Sequence, residues 1–191
     1  DTLPEKYDWA LEVLPKGNTT PVSDEQRNSW LNQAIALFVD RKPTALLLEC
    51  SVEGGEYLIE TLPSHVDLYQ DLASIPVDKY SLVIAVTPWI HAYPALCIQY
   101  IPKVLHVGMG CKRDLLADVQ VLEKEVLSSL REQHLSEKAI CSLDSVDIKA
   151  DEKALLLLAE TWHVPFYTYP ATELKGIEVP TPSAVVESNI G

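Results

Sequence analysis

Short apolar runs alternate with longer segments of helical periodicity in the second half of the sequence. No proline occurs between Lys103 and Val164, so nothing there interrupts regular structure. The first helical segment carries an apolar stripe from Leu115 to Leu130. The pattern predicts strands at 103–107, 139–143 and 165–169, a helix ending near His134, and a second helix at 151–162. Strand, helix, strand, helix, strand with short connections is typical of right-handed βαβ units.

The first half of the sequence has a similar but less regular pattern. Ser23 and Gln26 make a capping-box signal ahead of an apolar helical repeat, which predicts a helix over 24–39. Short apolar runs predict strands that are buried on both faces of a parallel sheet. These further elements are strands at 44–50 and 81–87, a turn at Gly54-Gly55 and a short helix at 64–73.

The two halves together predict the α/β fold class. The length of 191 residues is sufficient for two small domains, each with its own hydrophobic core. We therefore expect two small three-layer α/β domains, residues 1–101 and residues 102–191, and we expect the C-terminal one to be built of βαβ units.

The balance of charge excludes some classes of partner. The chain has 15 basic and 28 acidic residues, a formal net charge of −13. Affinity for nucleic acid depends on Lys and Arg that neutralise phosphates, so a general nucleic-acid binder is excluded. An anionic membrane surface is disfavoured for the same reason. An anionic small molecule would have to be held by a few local basic groups.

One uncharged stretch, Ser81 to Ile101, has the length of a membrane span. Pro88 and Pro94 interrupt it, and a proline inside a helix costs about 3 kcal/mol. We therefore predict two buried strands joined by a turn, and no membrane partner. The four cysteines form no C-x-x-C pair, which favours reduced thiols and a cytoplasmic location. The chain starts at Asp1 without a methionine and is interpreted as an excerpt from a longer protein.

A glycine loop, Val107 to Asp114, lies between a predicted strand and a predicted helix. Gly108 and Gly110 allow a sharp backbone turn, and N–H groups at a helix start can cradle an anion. Lys112 and Arg113 add cations that suit carboxylate or phosphate. The alternative is a plain strand-to-helix turn with two solvated basic residues, and the spacing leaves both open. Because Arg113 stands where a third glycine would be needed, the dinucleotide-binding fingerprint is absent.

Two side chains near this loop have alternative roles. Cys111 is either a thiol activated by the helix start and neighbouring cations or a small packing residue, and the sequence favours packing. His106, two residues before Gly108, approaches a ligand or is a hydrogen-bonded core histidine. The five histidines show no metal-ligand spacing, so no metal site is expected.

A second polar segment, Asp144 to Glu152, follows a predicted strand and opens a predicted helix. Ligands of open α/β sheets bind outside the carboxyl ends of the strands. Asp147, Lys149 and Glu152 are therefore candidates for acid, base or hydrogen-bonding roles. The structural alternative is that Asp151 and Glu152 complement the helix dipole while Lys149 pairs with a neighbour.

Three motifs, in the same order and at fitting separations, resemble the CbiG family of cobalamin biosynthesis. VGMGCKRD is similar to the family's G-x-G-C-R-R-G loop, with Asp114 where the family has its third glycine. SVDIKADE is similar to the S-x-D-L-K-A-D-E segment, and VPTPSAVVESNIG to the V-P-x-P-S-x-x-V ending. The motifs cover about Lys103–Gly191, the family's C-terminal domain, which is shared with the smaller CobE proteins. Residues 1–101 weakly resemble the family's central region.

The resemblance implies the activity of a cobalt-precorrin 5A hydrolase. Such an enzyme opens the ring-A δ-lactone of a corrin precursor and releases a two-carbon unit as acetaldehyde. The implied partner is a carboxylate-rich corrin intermediate, and cobalt arrives with that substrate, so no resident cofactor is expected. The family's N-terminal domain, with its S-G-H-x-G-G-A-N signature, does not appear in these residues and is expected elsewhere in the same chain. A homodimer is a further expectation.

The resemblance also implies residue roles. The implied substrate-binding residues are Gly108, Gly110, Cys111, Lys112, Arg113 and Ser145. Lys149, Asp147 and Glu152 are the nearest acid–base candidates, acting through a water that attacks the lactone carbonyl. Two alternatives stay open: a corrinoid-binding domain without catalysis, and a domain fused to a precorrin methyltransferase.

Overall fold

The computed structural model of the chain describes residues 3–110, 119–174 and 177. They form two compact units: the described residues up to 104 together with 128–139, and the described residues of 105–127 together with those from 140 onward. Each unit is built on its own β-sheet with helices, so the predicted α/β class is confirmed. The predicted division into domains near residue 102 stays a prediction.

The first unit contains a five-stranded mixed sheet. Its elements are α1 (Leu3–Tyr7), β1 (Ala10–Leu14), α2 (Asp24–Val39), β2 (Thr44–Leu48), α3 (Gly55–Glu60), β3 (Val66–Tyr69), β4 (Leu82–Val86) and β5 (Leu96–Ile101). The strand order is β1-β5-β4-β2-β3, in which β5, β4, β2 and β3 are parallel neighbours and β1 is antiparallel to β5. Helix α2 has the predicted bounds.

The two faces of this sheet are covered differently. Ala34 of α2 packs with Leu82 and Leu96 on one face. On the other face, Leu47 and Val83 pack against Tyr93, which lies in the irregular chain between β4 and β5. Alternate strand residues thus enter two hydrophobic clusters, as period-two side chains on a sheet covered on both faces require.

One local prediction in this unit is wrong and a second is confirmed. Residues 64–73 do not form a helix: they contain β3 and a single 3₁₀ turn at Leu72–Ser74. Residues 66–69 form a strand because they pair with β2, from Thr44 opposite Val66 to Leu47 opposite Tyr69. The turn predicted at Gly54-Gly55 is present at residues 53–54, where the Gly55 N–H donates to the Val52 carbonyl oxygen at 3.1 Å. It leads directly into α3, whose N-cap Gly54 has a left-handed conformation.

The uncharged stretch at 81–101 contains two buried strands, β4 and β5, as predicted. The strands are parallel neighbours, so the predicted simple turn between them is wrong. The connection is a nine-residue crossover over residues 87–95, without a helix. Among the helices of the described residues, none combines the length and the apolar character needed to cross a membrane.

The second unit contains a three-stranded parallel sheet in the order β6-β7-β8. Its strands and helices are β6 (Leu105–Gly108), α4 (Val119–Glu132), β7 (Ile140–Val146), α5 (Lys153–Trp162), β8 (Phe166–Tyr169) and α6 (Ala171–Leu174). The last residues of α4, from 128 onward, belong to the first unit. The predicted succession of βαβ elements is confirmed. Leu143 of β7 packs against Leu122 of α4 and against Leu155 and Leu158 of α5. Both helices therefore cover the same face of the described sheet.

Candidate functional site

The polar segment at 144–152 lies at the carboxyl end of β7. The strand ends at Val146, a 3₁₀ turn spans Asp147–Lys149, and Glu152 is the N-cap residue of α5. Gly108, the last residue of β6, lies opposite Asp144 in the parallel register. The glycine loop and the 144–152 segment thus leave the sheet at one edge, where ligands of open α/β sheets bind.

Lys149 and Glu152 form a nearly buried ion pair at this edge. The Lys149 Nζ lies 3.7 Å from Glu152 Oε2, and each side chain is only 10% exposed. The pairing predicted by the structural alternative is therefore present. An ammonium in such a position can bind a second anionic oxygen, provided that the carboxylate keeps it oriented. Asp147 is exposed in the same turn.

Ser145 joins the glycine loop to β7. Its Oγ donates to the Met109 carbonyl oxygen at 2.7 Å, and the Met109 N–H donates to the Asp144 carbonyl oxygen at 2.8 Å. Ser145, 7% exposed, therefore fixes the backbone of the loop and has a structural hydrogen bond besides its predicted substrate role. Cys111, Lys112 and Arg113 lie outside the described residues.

The predicted turn of the glycine loop continues past Gly110 into residues outside the described ones, and it stays a prediction. Neither Gly108 nor Gly110 has a positive φ, so neither backbone conformation requires glycine. Among the described residues, no atom lies within 4 Å of a Cβ built on either glycine. The backbone conformation at these two positions therefore does not depend on glycine.

Gly108 and Gly54 differ in backbone conformation, because only Gly54 of the two has a positive φ. Their substitution by alanine is therefore expected to give opposite results. Gly108→Ala is expected to leave the free energy of unfolding unchanged or raise it by up to about 1 kcal/mol, because the unfolded chain loses entropy. Gly54→Ala is expected to lower it by about 1–2 kcal/mol, because Gly54 has φ 83° and its added Cβ would lie 2.9 Å from Tyr7 Cε2. Urea unfolding followed by circular dichroism measures both, and equal losses would contradict the assignment.

A polar network on the sheet was not predicted. Ser142 Oγ donates to Asp144 Oδ2 at 2.5 Å, and the His106 Nδ1 lies 2.6 Å from the same hydroxyl. Tyr169 of β8 donates its hydroxyl to Asp144 Oδ1 at 3.2 Å, which raises the pKa of Tyr169. His106 thus has a hydrogen-bonded position, as its structural alternative proposed.

The network could have been anticipated from one signal in the sequence. Ser142 and Asp144 alternate along β7, so they lie on one face of the sheet, opposite the face of the buried Leu143. Polar residues at alternate positions of an otherwise apolar strand indicate a polar face.

Within residues 3–110, 119–174 and 177, no group of three or more His, Cys, Asp or Glu side chains could hold a metal ion.

A parallel sheet with helices packed on it defines an open α/β protein, the class in which ligands bind outside the carboxyl ends of the strands. The chain belongs to the CbiG family of cobalamin biosynthesis. The model described as "Cobalamin biosynthesis central region" matches residues 1–102, and that described as "Cobalamin synthesis G C-terminus" matches residues 105–191. The predicted family resemblance is thus confirmed in both halves.

Two relatives are named cobalt-precorrin-5A hydrolase. The protein from Priestia megaterium is 23% identical over 97% of this chain and 47% of its own length. The protein from Salmonella typhimurium is 27% identical over 84% of this chain and 42% of its own. A crystal structure of a cobalamin biosynthesis protein G homolog from Sulfolobus solfataricus matches 85% of this chain and 44% of its own, at 14% identity and a TM-score of 0.38. The chain therefore spans less than half the length of these relatives.

Proposed function

We propose that this chain supplies the central and C-terminal parts of a cobalt-precorrin-5A hydrolase. In that reaction the δ-lactone of a corrin precursor is opened and acetaldehyde is released. The proposal is supported by the two relatives of that name, whose similarity runs over most of the chain. The corrin carries several carboxylates, and cobalt belongs to this substrate, so the proposed reaction includes no resident cofactor.

The observation that carries the proposal is the Lys149–Glu152 pair at the carboxyl end of β7. The Lys149 ammonium is proposed to bind an anionic oxygen of the substrate, and Glu152, 3.7 Å away, to orient it. Asp147, exposed in the same turn, is the proposed acid–base group of this edge. Lys112 and Arg113 are proposed to bind further substrate carboxylates, because an acidic protein holds such a ligand by local cations.

Replacing Lys149 with methionine tests this role. We expect kcat/KM for acetaldehyde release from cobalt-precorrin-5A by the full-length protein to fall about 100-fold, the effect of losing one donor to a developing anion. An alcohol dehydrogenase coupled to NADH oxidation measures the acetaldehyde. Lys153→Met is the control, since Lys153 is exposed one residue beyond Glu152.

Two further variants make the outcome decisive. Removing one partner of a buried ion pair leaves an unpaired charge, so Lys149→Met combined with Glu152→Gln tests function without that penalty. Full activity of the folded Lys149→Ala, Arg113→Ala double variant would contradict the assignment of the site. Corrinoid binding without acetaldehyde release by the full-length protein would favour the non-catalytic alternative.

A further inference from the structure

The first unit contains a second polar cluster, at the carboxyl ends of the adjacent strands β2 and β4. The chain leaves β2 towards the neighbouring β3, and it leaves β4 towards β5 on the opposite side. The adjacent strands β2 and β4 therefore form a topological switch point. In doubly wound α/β sheets the crevice outside the carboxyl ends of two such strands is the usual ligand position.

Glu49 and Thr87 are the first residues beyond these two strands. Thr87 Oγ1 donates to Glu49 Oε2 at 2.7 Å, and the Trp89 N–H lies 3.2 Å from the same hydroxyl oxygen. The hydroxyl accepts from Trp89, so its single proton points to the carboxylate. Glu49 is 12% exposed, and its orientation is fixed from the neighbouring strand.

His91 completes the cluster. Its Nε2 lies 2.7 Å from Glu49 Oε2, and its ring packs edge-on against the buried Tyr93 with 5.8 Å between ring centroids. An ionised carboxylate only accepts hydrogen bonds, so it selects the tautomer with the proton on Nε2. The Nδ1 lone pair of the neutral ring is then available for a proton. About a quarter of the side chain is exposed.

The ionisation of the neighbouring groups fits this arrangement. Burial by itself would raise the pKa of Glu49, but the hydrogen bonds from His91 and Thr87, with a smaller contribution from the Leu72 N–H, lower it. Burial and the nearby Glu49 charge raise the pKa of Cys50 to about 11. The Cys50 thiol is therefore protonated at neutral pH and is a poor nucleophile. Within this cluster, the Glu49 carboxylate and the His91 imidazole are therefore the groups that can transfer a proton.

We propose that Glu49, Thr87 and His91 form an acid–base site of the first unit, in which His91 activates water for the hydrolysis of an ester. The ester class includes the lactone of the corrin intermediate, and to that extent the inference rests on the proposed function. For that substrate it assigns the activation of water to His91 in place of Asp147. Nδ1 accepts a proton as the water oxygen bonds to the carbonyl carbon. The acyl C–O bond then breaks, and the departing oxygen takes the proton from the imidazolium. His91 is the catalytic residue, while Glu49 and Thr87 are positioning residues.

The kinetic test uses the full-length protein and the acetaldehyde assay. His91→Gln and Glu49→Gln are each expected to lower kcat at least 100-fold with KM changed less than threefold, the effect of losing a general base or its orientation. Asp78→Asn is the matched control for the loss of a carboxylate. Asp78 is 77% exposed in an ion pair with Lys16, and asparagine tolerates its positive φ of 68°.

A spectroscopic test does not depend on activity. Nitrogen-15 NMR of the imidazole rings in the full-length protein at pH 8 is expected to show His91 with its proton on Nε2, the signal being identified by its loss in His91→Gln. Glu49→Gln is expected to give a mixture of tautomers, because an amide both donates and accepts. The tautomer tests the hydrogen bond between Glu49 and His91, and the loss of kcat with KM little changed separates a positioning role of Glu49 from a merely structural one.

The outcomes separate the two proposals. If the unchanged protein releases no acetaldehyde, the proposed function fails, and the tautomer still tests the geometry of the dyad. If it releases acetaldehyde and both variants keep kcat within threefold, the assignment of His91 is overturned. A proton on Nδ1 of His91 in the unchanged protein would overturn it as well, even where a variant does not fold.

Discussion

Replacing Leu155 with alanine is expected to lower the free energy of unfolding of the second unit by about 2–5 kcal/mol. Leu155 of α5 is fully buried and packs with Leu143 of β7 and Leu158 of its own helix. Among the described residues of this cluster, Leu143 and Leu158 are the other fully buried members, so few side chains are available to fill the cavity. The loss combines the removed apolar contacts with the void that remains.

The same substitution two residues along the helix provides the control. Leu157 is 50% exposed, so Leu157→Ala is expected to change the free energy of unfolding by less than about 0.5 kcal/mol. Urea unfolding gives the two values, and hydrogen exchange at the amides of 140–146 locates the effect in β7. Equal losses in the two variants would contradict the assignment of Leu155 to the core.

Replacing Gln99 with leucine is expected to destabilise the first unit by about 2 kcal/mol or more. Gln99 lies on β5 with 1% exposure, and its Nε2 donates to the carbonyl oxygens of Thr87 at 3.3 Å and Trp89 at 2.8 Å. Leucine has a similar size but no donor. A buried acceptor that loses its partner costs about 1–3 kcal/mol, and here two acceptors lose the same donor.

A second effect of Gln99→Leu is expected at His91. Gln99 holds the backbone of Thr87 and Trp89, and the Thr87 side chain in turn contacts Glu49. We therefore expect the Nε2 tautomer of His91 to lose its dominance in the Gln99→Leu protein. Gln70→Leu is the control, because Gln70 is exposed in the same unit. Unchanged stability of the Gln99 variant would show that water replaces the lost donor.

Elements with a strong local pattern could be predicted from the sequence. Helix α2 has the predicted bounds, although the Ser23 side chain makes no capping hydrogen bond in the structure. Strand β3 could not be predicted in this way. Four residues carry too short a pattern, and only the partner strand β2 provides the hydrogen bonds that make it a strand. The crossover between β4 and β5 could not be predicted for the same reason. Whether two strands pair in parallel depends on both strands and not on the sequence of either one.

The candidate sites divide along similar lines. Lys149 and Glu152 are three residues apart, so a local turn is enough to bring them together. Glu49 and His91 are 42 residues apart in the chain, and their contact depends on the register that places β2 beside β4. Sequence reasoning found the first pair through its motif. The second pair gives no such signal, because no acidic residue lies near His91 between residues 81 and 101, and Glu49 follows an ordinary apolar run.

The short crossover limits how this part of the chain can vary in length. Nine extended residues reach at most about 30 Å. The crossover must leave the sheet, run back along the length of the five-residue strand β4 and re-enter the sheet beside it. It therefore has few residues to spare. A deletion between Thr87 and Ala95 would draw β5 out of register by a residue, and each of its side chains would exchange faces. Gln99 would then point away from the carbonyls that it holds. We expect relatives with a working first unit to keep this connection at one length, and to place their insertions elsewhere.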